Sequence, residues 1–514
     1  MPVVRISYKL PLGGKVMKFL KVLCVIAMVF AVSAVAYAET QSVKVSGEIT
    51  ERAFARDNFD LQRHDPDTQD PASSSQTTDW STFLQSTAEI QVEADLTDNV
   101  SGVVRLLNQR VWGDNNYTSN NNDELATTGV VRDVYGTRNV QGGDNAYDVQ
   151  IDLAYIELKE FLYSPLTLKI GRQDLWFGKG FIIGNSLMDT QGTLFAPEYT
   201  AMNSFDAVRA TLDYDPWTID VVYAKLSENM YRGDDDKNLY GINVGYVFDS
   251  YNAEAEAYYW FKQDRNPISA TNVAGFSLQS KTNEIDNDVH TIGMRGSLDP
   301  IEDWTVALEG AYQMGSELGI TRQNEVRDRS AWAIDALVEC RYWQDQFAWK
   351  PVVSAEYIFY SGDSQSGNRD VTTDSTYTGW DPMYRGKFDT AIREFQNVFY
   401  ATSQTTTPSY TNQHQILLKG TIEPTDSLAF TATYGNFWLD QTFANQNTAN
   451  GAYGSVGENT GIYVGQEVDL ELKWDYTEDV SFGLLAGWFF PGEVFASNSD
   501  NVATDLVGTV KLSF

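Results

Sequence analysis

The feature of this sequence that most constrains its fold is a two-residue period that continues for a dozen residues at a time. Between positions 463 and 476, one parity holds Val464, Val468, Leu470, Leu472, Trp474 and Tyr476, and the other holds Glu467, Asp469, Glu471, Lys473 and Asp475. This is the pattern of a β-strand with one apolar and one polar face. Such length is unusual in soluble sheets, whose strands typically have ~5–6 residues. A tilted strand needs roughly 9–11 residues to cross a bilayer, so the pattern predicts membrane-spanning strands.

Eighteen segments along the chain share this alternation of apolar and polar residues. They begin near positions 42, 81, 100, 147, 165, 204, 217, 239, 252, 289, 302, 330, 348, 411, 427, 462, 479 and 503. The last of them, "LVGTVKLSF", alternates in the same way and ends in Phe514. A terminal aromatic residue is typical of bacterial outer-membrane barrels.

The connections between the segments fall into two alternating classes. Eight are short and rich in turn-forming residues: 96–100, 159–165, 213–217, 248–252, 298–303, 342–346, 423–427 and 475–479. Between them lie nine longer polar stretches, including 56–79, 113–146, 177–203, 264–287, 362–409 and 440–460. Short periplasmic turns and long extracellular loops are what an outer-membrane barrel requires. We therefore predict an all-β fold, a transmembrane antiparallel β-barrel of about eighteen strands, in the bacterial outer membrane.

The first 38 residues have the features of a secretory signal peptide. Five basic side chains precede a short apolar run, and Ala36-Tyr37-Ala38 forms a small-x-small cleavage site. Translation from Met17 fits the same pattern. A transmembrane anchor is the alternative, but the run is shorter than the ~20 residues that a spanning helix needs. We expect residues 1–38 to be removed and residues 39–514 to form one barrel domain.

Composition excludes several classes of function. The chain has 70 acidic and 37 basic side chains and a formal net charge of −33, so no nucleic-acid partner is expected. Its two cysteines are Cys24, in the signal peptide, and Cys340, so no disulfide is expected in the mature chain. The three histidines lack metal-ligand spacing, and no catalytic or cofactor motif is present. We predict no enzyme activity, no cofactor and no metal.

The polar parity of each strand is expected to face the lumen of the barrel. It carries basic residues at Lys44, Arg52, Lys169, Arg209, Arg295, Arg341, Lys419 and Lys473. Acids are more numerous there and include Glu467 and Asp469, which we interpret as part of a wetted barrel wall. Such a barrel encloses an aqueous path unless loops or side chains plug it. This mixed lining predicts a channel for a hydrophilic solute.

One strand breaks the pattern. In "LTLKIGRQD", strict parity sends Arg172 toward lipid, where a cation near the midplane costs roughly 2–4 kcal/mol. Either the strand has already reached the outer interface, or a β-bulge at Gly171 turns Arg172 into the lumen. We favour the bulge and expect an acid such as Glu157 or Asp206 within pairing distance of Arg172.

Four blocks of the chain resemble the alginate-export family of bacterial outer-membrane porins. They are residues 153–181 with "GRQDLWFGKGF", 203–224, 354–363 with 379–388, and 464–492 with "VGQEVDLELKWDY". The resemblance implies an eighteen-stranded barrel that passively exports an anionic polysaccharide through an arginine-rich constriction. The acid-rich lining departs from that picture, because uncompensated carboxylates repel a polyuronate.

The candidate pore-lining and constriction residues follow from these two arguments. Arg172 and Arg209 lie in matching blocks, beside Gln173 and Asp206, whereas Lys169, Arg295 and Arg341 come from parity alone. Glu467 and Asp469 complete the set.

Two hypotheses of function remain open from the sequence. The first is a porin-like channel for a hydrophilic solute, which the resemblance extends to an anionic polysaccharide such as alginate. If the acid excess dominates, the pore should prefer cations. The second is a scaffold or surface barrel whose lumen or long loops, such as 113–146 and 362–409, engage a partner protein. Expected partners are outer-membrane lipid and lipopolysaccharide, the solute, and a periplasmic protein.

Overall fold

The structure is a computed structural model, and it describes most of the strands and part of the loops. The described residues are 42–59, 61, 80–112, 149–163, 165–185, 199–201, 203–228, 236–265, 287–318, 326–363, 376–387, 389–393, 410–442, 461–495 and 501–514. The predicted signal peptide and the 113–146 loop lie outside them. Among the described residues, no helix is long and apolar enough to cross a membrane.

The described residues form a single sheet of nineteen strands. The first nine are β1 (Ser42–Asp57), β2 (Trp80–Thr97), β3 (Val100–Val111), β4 (Gln150–Leu158), β5 (Leu166–Gln173), β6 (Phe205–Asp213), β7 (Trp217–Ser227), β8 (Lys237–Val247) and β9 (Glu254–Asp264). The others are β10 (Asn287–Ile301), β11 (Trp304–Leu318), β12 (Val326–Cys340), β13 (Val352–Tyr360), β14 (Thr376–Tyr377), β15 (Gln413–Thr425), β16 (Leu428–Trp438), β17 (Tyr463–Asp475), β18 (Val480–Pro491) and β19 (Ala503–Ser513).

Eighteen of these strands close into a barrel. Each pairs antiparallel with the next along the chain, and β13 pairs directly with β15. The ring closes where β1 pairs with β19, from Glu48 opposite Ser513 to Asp57 opposite Thr504. Within the described ranges, the two-residue strand β14 pairs in parallel with β12, and it is not part of the barrel wall. The predicted eighteen-stranded antiparallel barrel is confirmed.

The alternating side chains separate into an outer and an inner face, as the period of two predicts. On β17, Leu470 and Trp474 are exposed apolar side chains, whereas Glu467 and Asp469 are buried polar ones. Exposed Val, Ile and Leu residues at one parity recur on strand after strand, for example Val43 and Val45 on β1. An apolar outer surface is what lipid requires, so the buried parity faces the lumen.

A hydrophobic core lies inside the barrel. It joins buried inner-face residues such as Val222 on β7, Trp260 on β9 and Phe437 on β16 to the non-strand residues Ile183 and Ile392. A cluster that touches inner faces around most of the ring can lie only in the lumen. Two connections therefore fold inward: the first inward segment, residues 174–185, and the second inward segment, residues 376–387 and 389–393.

The predicted segment starts lie close to the observed ones, but the structure differs from the prediction at one short turn and at two long loops, 177–203 and 362–409. The short turn predicted at 342–346 is part of a longer turn that runs from 341 to 351 between β12 and β13. The 362–409 stretch, predicted as an extracellular loop, contains β14 and the second inward segment. Period-two patterns show which face a strand residue occupies, but they carry no signal for a loop that packs inside.

Candidate transport pathway

The two inward segments are joined to each other through their backbones. The amide nitrogen of Gly184 donates to the carbonyl of Tyr384 at 2.8 Å, and that of Gly386 donates to the carbonyl of Gly180 at 2.9 Å. A Cβ atom on Gly386 would collide with the backbone of Gly184, so glycine is needed for this approach. The segments thus form one body inside the barrel.

Three side chains from the barrel wall hold the second inward segment near its start. Lys262 on β9 donates to both carboxylate oxygens of Asp381 at 2.6 Å. The Gln313 side chain on β11 bonds the backbone of Asp381, donating 2.8 Å to its carbonyl and accepting from its amide at 2.8 Å. Arg329 on β12 donates to the carbonyl of Gly379 at 2.9 Å. Burial alone would raise the pKa of Asp381, but Lys262 and Arg329 outweigh it and hold this pKa below its usual value.

A lysine near the middle of the second inward segment reaches an acidic part of the wall. Lys387 contacts Glu356 on β13, Asp389 at 3.1 Å and Asp335 on β12 at 3.6 Å. Burial alone would lower the pKa of Lys387, but Asp389, Asp335 and Glu356 outweigh it, so the pKa is raised and the lysine stays charged. The carboxylates at this point hold the segment in place.

Glu467 and Asp469 bind the far end of the second inward segment. Glu467 accepts from the amides of Ile392 and Arg393 at 2.6 and 2.8 Å, and Asp469 accepts from the amide of Ala391 at 3.2 Å. The Glu467 side chain is 0 % exposed. We expected these two acids to form a wetted wall, and that interpretation is wrong: both lie beneath the segment and satisfy its backbone.

The opposite wall of the lumen carries charges that remain partly exposed. Lys169 on β5 and Arg209 on β6 are cross-strand partners. Lys169 lies 3.4 Å from Glu157 and above the ring of Tyr155. Arg209 lies 2.7 Å from Asp220. The side chains of Lys169 and Arg209 are 27 % and 26 % exposed, so both reach solvent within the lumen.

Arg105 on β3 extends the charged surface of this wall. Its guanidinium contacts Asp152, Asp174 at 3.5 Å and Glu89 at 3.7 Å. Arg105 could not be assigned to the lumen from the sequence, because its neighbours at the same parity, Val103 and Leu107, are apolar. The alternation on β3 was therefore obscured.

Lys179 lies at the turn of the first inward segment. Within the described part of the chain it makes no ion pair, although Asp335 and Glu356 act on it electrostatically. Burial lowers the pKa of Lys179, and these two acids offset only part of that effect. It lies in a block that resembles the known family, but its parity could not be assigned from the sequence because it follows the end of β5.

The prediction for Arg172 is wrong in one respect and correct in another. The register runs without a shift across β4, β5 and β6, so no bulge occurs at Gly171. Arg172 therefore shares the outer face with Ile170. The φ angle of Gly171 is +125°, and a Cβ atom there would strike the carbonyl of Ala154, so close backbone approach explains the glycine. Asp206, also on the outer face, lies 3.7 Å from Arg172, which confirms the predicted pairing.

The other candidates take different positions. Gln173 is buried and donates to the carbonyl of Ala207 at 2.9 Å. Arg295 on β10 donates to Glu256 and Glu254 at 2.5 and 2.6 Å, beside the first inward segment. Arg341 contacts Glu339 at 2.8 Å at the end of β12, by the short turns. Their roles in transport stay predictions.

Among the described residues no group of His, Cys, Asp and Glu side chains has the geometry of a metal site. His290 and His414 lie on the outer face, where their Nδ1 atoms are 2.7 and 2.8 Å from the hydroxyls of Tyr259 and Tyr357. His64 lies outside the described residues.

Comparisons with known proteins agree with this geometry. A family model described as alginate export matches residues 76–509. Two similar solved structures are Pseudomonas aeruginosa OpdK with vanillate and Acinetobacter baumannii OccAB4. The first is 12% identical, with a TM-score of 0.50, over 92% of this chain and 100% of that one. The second is 10% identical, with a TM-score of 0.50, over 93% and 100%. At such identities the likeness concerns the fold. No curated protein sequence matches the chain.

Proposed function

The chain belongs to the alginate-export family of outer-membrane channels, and from that membership we propose that its solute is an acidic polysaccharide, such as alginate, that leaves the cell. The channel itself is an outer-membrane β-barrel for hydrophilic solutes. We propose that transport through it is passive and that the chain catalyses no reaction, since the family consists of channels.

The observation that carries the proposal is that some charged side chains of the lumen hold the second inward segment, whereas others remain partly exposed. The sequence places more acids than bases on the inner face, and carboxylates that face the solute would repel a polyanion. Asp335, Glu356, Glu467 and Asp469 instead hold the second inward segment and are mostly buried. Lys169 and Arg209 stay partly exposed across the lumen. The path that remains beside the inward segments is therefore less acidic than the sequence indicates.

Lys179 gives this path a cation that a carboxylate can approach. An ammonium without an ion pair offers three donors to a solute. Its partial burial strengthens the attraction to a uronate group, because charges interact more strongly away from bulk water. We propose that Lys179, Lys169 and Arg209 contact successive carboxylates of the polysaccharide.

Single-channel recording in planar bilayers tests this function. The purified full-length protein should show discrete conductance, and oligomers of alginate should block the current in a concentration-dependent way. Neutral oligosaccharides of the same length are the matched control and should block less. A conductance that neither oligomer blocks would reject the acidic solute but keep the channel. Absence of discrete conductance would argue against a channel.

We also propose that lipopolysaccharide contacts the outer face at the long-loop end of the barrel. Arg172 and Lys225 bring cations to this height, and both are cross-strand partners of Asp206. Phosphate groups of the glycolipid would compete for Arg172 with Asp206 and for Lys225 with Asp236. A periplasmic partner and the single domain after residue 38 remain predictions.

A further inference from the structure

A groove of about 590 Å³ lies on the barrel surface between the ends of β13, β15, β16 and β17 and the 341–351 turn. Its lining includes Trp343, Phe347 and Trp349 from the turn and Val353, Phe430 and Leu470 from the strands. The three strand residues are exposed apolar side chains at the outward parity. The groove is therefore on the outer face of the barrel.

Small residues create the floor of this groove. Gly420 pairs with Val353 on one side and Ala432 on the other, and all three line the groove. A Cβ atom added to Gly420 would meet nothing within 4 Å. The wall is thus recessed at a height where its flanks carry large side chains.

The position of the groove identifies the leaflet that it faces. Val352 is the first residue of β13, and Leu428 the first of β16, so the groove lies at the short-turn, periplasmic end. Trp and Tyr side chains gather at membrane–water interfaces, and the tryptophans of the 341–351 turn close the groove on the aqueous side. The groove therefore faces the hydrocarbon of the periplasmic leaflet.

We propose that the groove binds one acyl chain of a glycerophospholipid from the periplasmic leaflet. The groove is continuous with the lipid-facing surface of the barrel, so hydrocarbon is the phase that fills it. An empty recess would leave its apolar lining without contacts. Lys350, in the same turn, donates to Asp426 at 2.8 Å and keeps further ammonium donors for the lipid phosphate.

Native mass spectrometry tests this proposal with phosphatidylglycerol as the probe. The full-length protein, purified in detergent and incubated with the lipid, should retain one tightly held molecule. Gly420→Leu and Ala432→Phe fill the recess and should lower retention about tenfold. Gly508→Leu is the matched control, since Gly508 is another strand glycine whose added Cβ would meet nothing within 4 Å, on β19 and away from the groove. This control should retain the lipid.

Three results would overturn the proposal: equal retention in the filled and control variants, no retained lipid in the unchanged protein, or a dimer that Gly420→Leu dissociates. The last would assign the groove to a second copy of the chain. Single-channel conductance of the Gly420→Leu variant should equal that of the unchanged protein, because the groove faces lipid. The outcome is therefore independent of the proposed transport function.

Discussion

The two sides of the lumen use charged residues for different purposes. On the packed side, where the second inward segment covers the inner faces of β12 and β17, Asp335 is 3 % exposed and Glu467 is 0 % exposed. On the open side, Lys169 on β5 and Arg209 on β6 keep about a quarter of their side chains exposed. A charged side chain on the inner face of this barrel can therefore hold a loop or face the solute. Only burial separates the two roles.

The largest effect on transport is expected when the second inward segment is removed. Replacing residues 376–393 with a short Gly-Ser linker should raise single-channel conductance, because only the first inward segment then remains inside the eighteen-stranded barrel and the aqueous path is wider. Planar-bilayer recording measures the change, and electrophoretic heat-modifiability checks that the barrel has folded. Unchanged conductance in a folded variant would show that this segment does not narrow the pore.

A second prediction concerns the anchor on the packed side. Glu467→Gln should destabilise the docked segment by about 1–3 kcal/mol, because the two buried amides bond different carboxyl oxygens and glutamine offers only one acceptor oxygen. We expect noisier open-channel currents and a lower denaturant midpoint. Glu471→Gln is the matched control, since Glu471 is on the same strand and parity but is exposed. Equal effects of the two substitutions would contradict the anchoring role.

On the open side, reversing charge should alter ion selectivity. Lys169→Glu with Arg209→Glu should shift the reversal potential toward cation preference. We expect the cation-to-anion permeability ratio to rise roughly fivefold, which corresponds to about 1 kcal/mol. The denaturant midpoint should fall as well, because the buried Asp220 loses its cationic partner and meets a like charge. Unaltered selectivity would place the solute path elsewhere.

The pH dependence of block by alginate oligomers should identify Lys179. Its charge is present below its pKa and is lost as pH rises through it. Because burial lowers this pKa, block should weaken before pH reaches roughly 10.4, the value of an ordinary lysine. Lys179→Arg should keep the block through that range, since arginine stays protonated. Identical pH profiles for the two proteins would exclude Lys179 from the block.

The smallest effect is expected from Arg172, which serves as the outer-face reference for both sides. Arg172→Gln should leave conductance and selectivity unchanged, and its loose pairing with Asp206 should contribute about 0–1 kcal/mol to stability. Lipopolysaccharide that co-purifies with the protein should decrease. A clear change in ion selectivity would return Arg172 to the lumen and contradict the register of β5.

The barrel could be predicted from the sequence because lipid imposes the alternation. Every outward residue near the middle of the membrane must be apolar, so strands such as β17 show their faces directly. The same logic placed Lys169 and Arg209 on the inner face correctly. It also gave the correct parity for Arg172, and the error came from adding a bulge to avoid a charge on the outer face.

The candidate site was predicted less completely, because parity shows only which way a residue points. Glu467 and Asp469 have the same pattern as the wetted wall residue Glu471, and their burial depends on a segment more than 70 positions away in the chain. Lys179 and Lys387 lie outside the barrel strands, where no period exists. Contacts of this kind arise from tertiary packing and leave no local sequence signal.

The pairing of β1 with β19 has a consequence for how the barrel is assembled. Beyond the ends of these strands, Asn58 still donates to the carbonyl of Val502, a partner 444 positions away. Contacts at such separation form slowly. Until they form, β1 and β19 each present an unpaired edge that invites pairing with another chain. Closing the ring removes both edges at once, so the β1–β19 seam protects the finished barrel from pairing with other chains.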